Sequence, residues 1–197
     1  GSLDTTFSGD GLLTTAVGYS DDFAYTMAVQ ADGKIVAAGF ASNGSNRDIA
    51  LVRYNPNGSL DITFSGDGKL ITAVSSSYYD VAYAVAVQSD GKIAAAGYAD
   101  TGSNYDFALV RYNPDGSLDT TFSGDGLLTT AFGSGNDYAQ AVAVQVDGRI
   151  VAAGSAYNGS NFDFALARYT VEDGGRITYN PNGQFEGLAN GETAVET

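Results

Sequence analysis

Residues 82–97 read AYAVAVQSDGKIAAAG, and closely similar text stands at residues 24–39 (AYTMAVQADGKIVAAG) and 139–154 (AQAVAVQVDGRIVAAG). In each copy an Asp-Gly pair separates two apolar runs. This pattern predicts a β-hairpin, because a type I′ turn needs positive φ at both central residues. In the middle copy Tyr83, Val85 and Val87 alternate with alanines, so both faces of the strand are apolar. Such a strand is predicted to lie between two neighbouring sheets, not at a half-exposed surface.

The hairpin is part of a longer repeated unit. The text GSLDxTFSGDG begins at Gly1, Gly58 and Gly116, so the steps between copies are 57 and 58 residues. A period of this size indicates stacked supersecondary units. We predict three units at 1–57, 58–115 and 116–173, followed by a tail at 174–197. Each unit is expected to hold a short Thr-rich strand, the two hairpin strands and a third strand. The Thr-rich strands are Gly11–Ala16, Lys69–Val74 and Leu127–Phe132, and the third strands are Ile49–Tyr54, Phe107–Tyr112 and Phe164–Tyr169.

Composition excludes several classes of function. The 197 residues include 23 acidic and 9 basic side chains, for a formal net charge of −14. A surface this acidic repels phosphate backbones and anionic lipid, so we expect no nucleic-acid partner. No apolar run approaches the roughly 20 residues that span a bilayer, so we expect no membrane insertion. The chain lacks Cys and His, which removes disulfides, thiolate metal sites and the most common general base.

Three blocks of the unit resemble a known family. They are NPDGSLDTTFSGDG at 113–126, AVAVQSDGKIAAAG at 84–97 and DFALVRYN at 106–113. In this text and its order the chain resembles the bacterial delta-60 repeat over about residues 1–172. The resemblance implies an all-β, propeller-like fold, no general catalytic activity, and a place in an extracellular or cell-surface bacterial protein. Residues 175–197 are similar to the beginning of a VCBS or cadherin-like adhesin repeat. The alternative for this tail is that Arg176–Asn180 pairs with the last sheet as an edge strand.

Three units are too few to close a propeller, which typically has four to eight blades. The chain begins with an outer strand (GLLTTA) and its repeats end with a third strand (FALARY). This offset suits a clasp in which the first strand of one chain completes the last blade of another. We therefore predict a homodimer that forms a six-bladed ring. A β-trefoil, which also contains three four-stranded units, is the alternative fold.

Candidate ligand-binding residues gather in two loops that the predicted strand order places on one face. Acidic, amide and aromatic side chains together suit a glycan or a protein ligand. The alternative is that they cap strand ends on a solvated loop. The residues before the inner strands are Asp22, Asp80 and Asp137, and those before the third strands are Asp48, Asp106 and Asp163. The amides are Asn46, Asn104 and Asn161, and the aromatic residues are Tyr19, Tyr78, Tyr79, Tyr105, Tyr157 and Phe162.

The repeated arginines and the remaining aspartates receive structural interpretations. Arg53, Arg111 and Arg168 share one position on an otherwise apolar strand, where a buried guanidinium needs an acidic partner. We predict that they brace strands or blades, with anion binding as the alternative. Asp4, Asp61 and Asp119 lie in a Gly/Ser-rich connection, where their carboxylates are expected to accept backbone N–H groups. Calcium binding there is the alternative, although no complete calcium-loop pattern is present.

These observations favour a non-catalytic binding or adhesion module. Near-identical units give near-identical weak sites, and several such sites acting together raise the overall affinity. A purely structural spacer is the alternative. A carboxylate-based glycosidase or lyase would need a catalytic pair that breaks the repeat symmetry. The unit-specific residues, such as Asp21, Arg47 and Asp100, form no such pair, so we assign no catalytic residue.

Overall fold

The structure is a computed structural model that describes residues 1–75 and 79–171 and, in the tail, the backbone of two short strands. Every regular element in this part of the chain is a β-strand, and no helix there is long and apolar enough to cross a membrane. The strands are β1 (Asp22–Val29), β2 (Ile35–Ser42), β3 (Arg47–Tyr54), β4 (Lys69–Thr72), β5 (Asp80–Val87), β6 (Ile93–Asp100), β7 (Tyr105–Tyr112), β8 (Leu127–Thr130), β9 (Asp137–Val144), β10 (Ile150–Tyr157), β11 (Phe162–Tyr169), β12 (Thr178–Tyr179) and β13 (Phe185–Gly187).

Three antiparallel sheets follow one another along the chain. Blade 1 has the strand order β1–β2–β3–β4, blade 2 has β5–β6–β7–β8, and blade 3 has β9–β10–β11. The outer strand of each complete blade comes from the following repeat, since β4 lies in unit 58–115 and β8 in unit 116–173. Each complete blade therefore straddles a repeat boundary, and blade 3 has three strands.

The blades pack face to face through small and branched side chains. Val36, Ile49 and Leu51 of blade 1 form one buried cluster with Val85 and Ile93 of blade 2. The opposite face of blade 2 forms a second cluster with blade 3, which includes Phe107, Leu109, Ile150 and Ala152. Blade 2 is thus covered on both faces, which confirms the sequence prediction for β5. We call the face of each blade that points toward the next blade its front face and the opposite one its back face.

This arrangement is consistent with propeller-like repeats. The chain is all-β in the part described, and its three sheets stack as successive blades. A β-trefoil would instead combine strands from all three units in one barrel. That alternative is wrong, because each sheet here is a local, sequential set of strands.

The two ends of the stack leave apolar faces exposed. Phe164 and Leu166 on the front face of blade 3 are 99% and 64% exposed, whereas the equivalent Phe107 and Leu109 are each 1% exposed. On the back face of blade 1, Met27 is 59% exposed. The equivalent residues of blade 2 are buried. The exposure of these side chains therefore results from the position of their blade at one end of the stack.

The strand predicted at Gly11–Ala16 is not formed. Its equivalents Lys69–Thr72 and Leu127–Thr130 pair with β3 and β7, which are the third strands of the preceding blades. No third strand lies beside residues 11–16 within the described chain, so the predicted pairing has no partner. The prediction for this segment was wrong because a β-strand is defined by its neighbour as well as by its own sequence.

The tail contains a separate two-stranded sheet. Thr178–Tyr179 pairs with Phe185–Gly187. The other residues of the two tail interpretations, including Arg176 and Asn180, lie outside the described residues, as does Tyr78.

A β-bulge in every inner strand explains a glycine of the repeat. Between Ala82 and Ala84 the pairing of β5 with β6 shifts by one residue, so Tyr83 is the extra residue. Equivalent shifts occur in β1 and β9. The bulged strand approaches the facing glycine so closely that a Cβ on Gly97 would lie 1.8 Å from the Val81 carbonyl oxygen. Glycine is required here by this close approach of two backbones.

We expect Gly97→Ala to lower the free energy of unfolding by about 3 kcal/mol, because the added methyl group must displace the bulge and the packing around it. Urea denaturation followed by far-UV circular dichroism measures the change. The matched control is Gly133→Ala, where an added Cβ meets only the Tyr157 carbonyl oxygen at 3.9 Å. Equal stability of the two variants would contradict this explanation of the bulge.

Candidate functional site

The sheet pairing brings the predicted loop-face aspartates to one end of each blade. Ala41 pairs with Asp22 on one side and with Asp48 on the other, so both carboxylates lie at the same end of blade 1. The same arrangement places Asp80 with Asp106 in blade 2. In blade 3 it joins Asp137 and Asp163 through Ala156. We call this end of the blades the loop face.

The aspartates that begin the inner strands hold the backbone of the preceding connection. Asp80 accepts hydrogen bonds from the Val74 and Ser75 N–H groups at 2.7 and 2.8 Å. Asp22 accepts one from Val17 N–H at 2.7 Å, and Asp137 accepts one from Phe132 N–H at 2.7 Å. These connections follow the outer-strand position of the preceding blade. The three carboxylates therefore fix how one blade leads to the next.

The aspartates that begin the third strands bind the side-chain amides of their own loops. Asn43 donates to Asp48 at 2.6 Å, and Asn104 donates to Asp106 at 2.8 Å. Asn161 donates to Asp163 at 3.1 Å. The remaining predicted amide, Asn46, donates its backbone N–H to Asn43 at 3.0 Å. These side chains order the loop tips.

Buried carboxylates also approach one another where two blades meet. Burial raises the pKa of Asp80, and the nearby charge of Asp48 raises it further. Burial likewise raises the pKa of Asp106, to which the charge of Asp137 adds. The carboxylates of these two pairs are the groups that would coordinate a cation at the loop face. Among the described residues, no group of three or more acidic side chains converges as a metal site.

The loop face carries a continuous row of aromatic rings. We call it the aromatic row. Its successive ring centroids lie between 4.8 and 6.3 Å apart. Its members are Phe23, Tyr25, Phe40, Tyr83, Tyr98, Tyr105, Tyr138, Tyr157 and Phe162. Tyr105, Tyr157 and Phe162 were among the predicted residues, and the Arg47 guanidinium lies over both Phe40 and the predicted Tyr79. Tyr19 lies on the same loop face but outside the row and is largely exposed.

The first and second strands of the blades contribute the part of the row that the sequence analysis did not predict: Phe23, Tyr25, Phe40, Tyr83, Tyr98 and Tyr138. Tyr25, Tyr83, Tyr138 and Gln140 line a shallow depression of about 350 Å³. Tyr25, Tyr83 and Gln140 hold the equivalent bulge position of β1, β5 and β9. A bulge re-aims the extra residue away from its regular place in the ladder. One feature of the sequence could have indicated the bulge. At this repeat position a large or polar side chain stands next to Ala on at least one side.

Three tyrosines of the row, Tyr83, Tyr98 and Tyr138, are neutral hydrogen-bonding groups. Burial raises the pKa of Tyr83, Tyr98 and Tyr138 above the ordinary value, and the neighbouring phenols add to the effect. Each ring therefore presents an apolar face and a protonated hydroxyl at neutral pH. Such groups can stack on an apolar surface of a ligand and hydrogen-bond its hydroxyls.

The repeated arginines join strands to the connection that follows them. Arg53 Nε lies 2.7 Å from Asp61, and Arg111 Nε lies 3.0 Å from Asp119. Arg53 also donates to the Pro114 carbonyl oxygen at 2.6 Å, in the next unit. Lysines complete each cluster, since Lys34 and Lys92 Nζ lie 3.1 and 3.0 Å from the same two carboxylates.

The acidic partners in these clusters are held charged. Burial alone would raise the pKa of Asp61, but hydrogen bonds from Thr63 and Lys34 and the charge of Arg53 outweigh it and lower the pKa. The same balance lowers the pKa of Asp119. The Thr63 N–H group donates to Asp61, which is the backbone interaction predicted for this connection.

Arg168 differs from its two equivalents. No hydrogen bond or ion pair joins it to another residue of the described chain. Asp61 and Asp119 follow Arg53 and Arg111 by eight positions, whereas the residue eight positions after Arg168 is Arg176. The repeat therefore stops before it supplies the acidic partner.

We expect stability to pass through a maximum in mildly acidic solution. The raised pKa values of Asp48, Asp80 and Asp106 mean that their protonation favours the fold, so the free energy of unfolding should rise as the pH falls from 7. Asp61 and Asp119 have lowered pKa values, so their contribution is lost below about pH 4. Urea unfolding between pH 3 and 7 measures the curve.

Two variants separate the limbs of this curve. Asp61→Asn should lower the free energy of unfolding by about 3 kcal/mol at pH 7, because it leaves the buried Arg53 without a carboxylate, and should reduce the loss of stability below pH 4. Asp48→Asn should instead reduce the rise in the free energy of unfolding as the pH falls from 7, because it removes one carboxyl with a raised pKa and the charge that helps to raise the pKa of Asp80. A steady loss of stability from pH 7 downward in the unmodified chain would contradict the assignment.

Comparison with known proteins agrees with this architecture. The family described as a domain of unknown function (DUF5122) beta-propeller matches residues 30–64, 88–122 and 145–174, which together make up just over half of the chain. A comparison with curated proteins finds no match. Each matched segment runs from the hairpin turn through the third strand, and the first two continue through the connection that contains Asp61 or Asp119. The chain therefore belongs to the DUF5122 β-propeller family.

Proposed function

We propose that this chain is a non-catalytic binding module of an extracellular or cell-surface protein, and that its loop face binds carbohydrate. The observation that supports this most directly is the depression lined by Tyr25, Tyr83, Tyr138 and Gln140. Aromatic faces provide stacking surfaces for sugar rings, and the hydroxyl and amide groups beside them suit sugar hydroxyls. A protein ligand is the alternative occupant of the same surface.

The proposed site lies along the aromatic row. The buried loop-face aspartates hold the loops in place and do not form the exposed surface of the site. Asp80 and Asp137 are fully buried, and their carboxylates accept backbone N–H groups. Two further aromatic residues are half exposed: Phe162, which contacts Tyr138, and Tyr79, over which the Arg47 guanidinium lies. The ligand therefore meets mainly rings, hydroxyls and amides, and binding is expected to be weak at each position.

The proposal includes a ring of six blades made by two chains. Each chain then contributes one stretch of aromatic row, and two stretches facing one ligand surface raise the overall affinity. No cofactor is part of this proposal, and no residue is assigned a catalytic role.

A structural spacer is the second candidate function. It is favoured by the number of repeated polar side chains whose hydrogen bonds are already made within the fold, including Asp22, Asp106 and Asp163. A spacer needs rigid blades and no ligand surface. The two candidates therefore differ in whether the aromatic row binds anything.

Saturation-transfer NMR with a panel of soluble β- and α-linked oligosaccharides tests the carbohydrate proposal. Tyr83→Ala should weaken binding about tenfold, because it removes one stacking ring, whereas Tyr83→Phe should keep most of the affinity. Tyr19→Ala, a change of an exposed tyrosine outside the aromatic row, is the matched control. No saturation transfer from any sugar to the folded chain would contradict the proposal and favour the spacer.

The same titrations with and without Ca²⁺ test a cation at the loop face. Its acidic donors would be the buried pairs Asp48 with Asp80 and Asp106 with Asp137. Under the proposal, affinity and thermal midpoint are equal in both buffers. A rise of the midpoint with Ca²⁺ that is lost in Asp48→Asn would assign these carboxylates to a metal.

A further inference from the structure

Among the described residues, blade 3 lacks the outer strand that blades 1 and 2 have. In blade 1 the outer strand pairs as Leu51 with Leu70, and in blade 2 as Leu109 with Leu128. The equivalent residue of β11 is Leu166, and among the described strands β11 pairs with β10 alone. The backbone of β11 therefore offers a row of donors and acceptors along one edge, as any unpaired edge strand does.

The same chain carries an unpaired copy of the strand that fits there. Residues 12–15 hold the repeat positions of β4 and β8 but belong to no sheet. They nevertheless lie where an outer strand of a preceding blade would lie. Thr15 Oγ1 accepts from the Tyr54 hydroxyl at 2.8 Å, as Thr72 does from Tyr112 at 2.9 Å. The segment therefore lies on the back face of blade 1, in the place of an outer strand, with Leu12 and Leu13 exposed.

A positive charge on blade 3 and a negative charge at the beginning of the chain complement each other. Arg168 holds the position of Arg53 and Arg111 but has no partner in the described chain. Asp4 holds the position of Asp61 and Asp119, and its carboxylate accepts from Thr6 N–H just as Asp61 accepts from Thr63 N–H. Asp4 is exposed and makes no ion pair within the described residues. One end therefore lacks the acidic partner that the other end offers.

The apolar faces next to these groups also match. The front face of blade 3 exposes Phe164 and Leu166, and the back face of blade 1 exposes Met27 and Val29. In the interior of the stack, a front face of this kind packs on a back face of this kind and excludes water. Covering both faces removes a large apolar surface from solvent.

We propose that blade 3 binds the beginning of a second copy of this chain. Residues 12–15 of the second copy add to β11 as its antiparallel fourth strand, with Leu13 opposite Leu166 and Thr14 opposite Ala165. The Asp4 carboxylate of the second copy pairs with Arg168, and the back face of its blade 1 covers Phe164. This contact is head-to-tail, so two copies form two such seams when the ring closes.

The occupant is a second copy because both halves of the seam occur in this chain and their register is already given by the two complete blades, blade 1 and blade 2. The inference rests on the ring in the proposed function and does not depend on the carbohydrate site. A Tyr83→Ala chain should therefore keep its assembled mass even where it loses sugar binding. The two proposals fail separately.

Charge reversal tests the seam. Asp4→Arg and Arg168→Asp, each alone, should raise the dissociation constant of the assembly about 30-fold or more, because each places like charges together at both seams. Mixing the two variants should restore association, since one seam then contains the native pair and the other the reversed pair. Light scattering coupled to size exclusion measures the mass. Asp100→Arg, which makes a charge change of the same size in the middle blade, is the control.

The outcomes are decisive in each direction. A monomeric unmodified chain at 100 µM, or single variants that assemble like the Asp100→Arg control, would overturn the proposal. Failure of the mixture to assemble would overturn it as well. Recovery in the mixture and in the chain that carries both changes supports it.

Engineered cysteines test the register, and the absence of natural cysteine makes the result specific. Thr14→Cys with Ala165→Cys should give a covalent dimer on a non-reducing gel after mild oxidation, because directly opposite residues have neighbouring Cβ atoms. Thr14→Cys with Leu166→Cys, one residue out of register and on the opposite face, should not. Crosslinking of the second pair alone, or an intramolecular disulfide in a monomer, would contradict the seam.

Discussion

Every complete blade of this protein takes its outer strand from the next repeat. β4 and β8 come from the second and third units, and each pairs with the third strand of the unit before it. A repeat therefore does not fold into a blade by itself, and neighbouring repeats share both a sheet and an apolar interface. This dependence orders the stack, fixes the distance between blades, and leaves complementary structures at its two ends. Other features of the fold serve this exchange of strands between repeats.

Two kinds of buried polar interaction, which we call joints, connect each outer strand to the blades on either side of it. The Arg53–Asp61 and Arg111–Asp119 pairs tie the third strand to the connection that leads into the outer strand. Asp80 and Asp137 then tie the end of that outer strand to the next inner strand. Removing one member of such a pair leaves a buried group unpaired and is costly. The polar positions that recur in every unit are therefore explained largely by blade assembly.

The sequence predicts the repeat, the hairpins and the double-sided burial of β5, because these follow from periodicity and turn chemistry within one unit. The sequence also predicts an outer strand at the beginning of the chain and a third strand without an outer neighbour at the end of the repeats. It does not predict that residues 11–16 remain outside any sheet, since pairing depends on a partner far away in the sequence. The bulge at Tyr83 escapes alternation analysis, because inserting one residue changes which side chains share a face. Three of the nine members of the aromatic row were accordingly predicted, and these three, Tyr105, Tyr157 and Phe162, lie at strand ends.

This division between joints and bulges bears on where a ligand can bind. Aspartates that repeat in all three units make hydrogen bonds inside the fold, so their recurrence reflects the same joint formed three times. The bulge position is different, because its side chain is re-aimed out of the ladder and is free to vary without disturbing it. It is Tyr in units 1 and 2 and Gln in unit 3. Variation at a position whose backbone geometry is fixed by Gly39, Gly97 and Gly154 changes the surface while the blades stay the same. Substitution at this position can therefore alter the surface of the loop face without altering how the blades assemble.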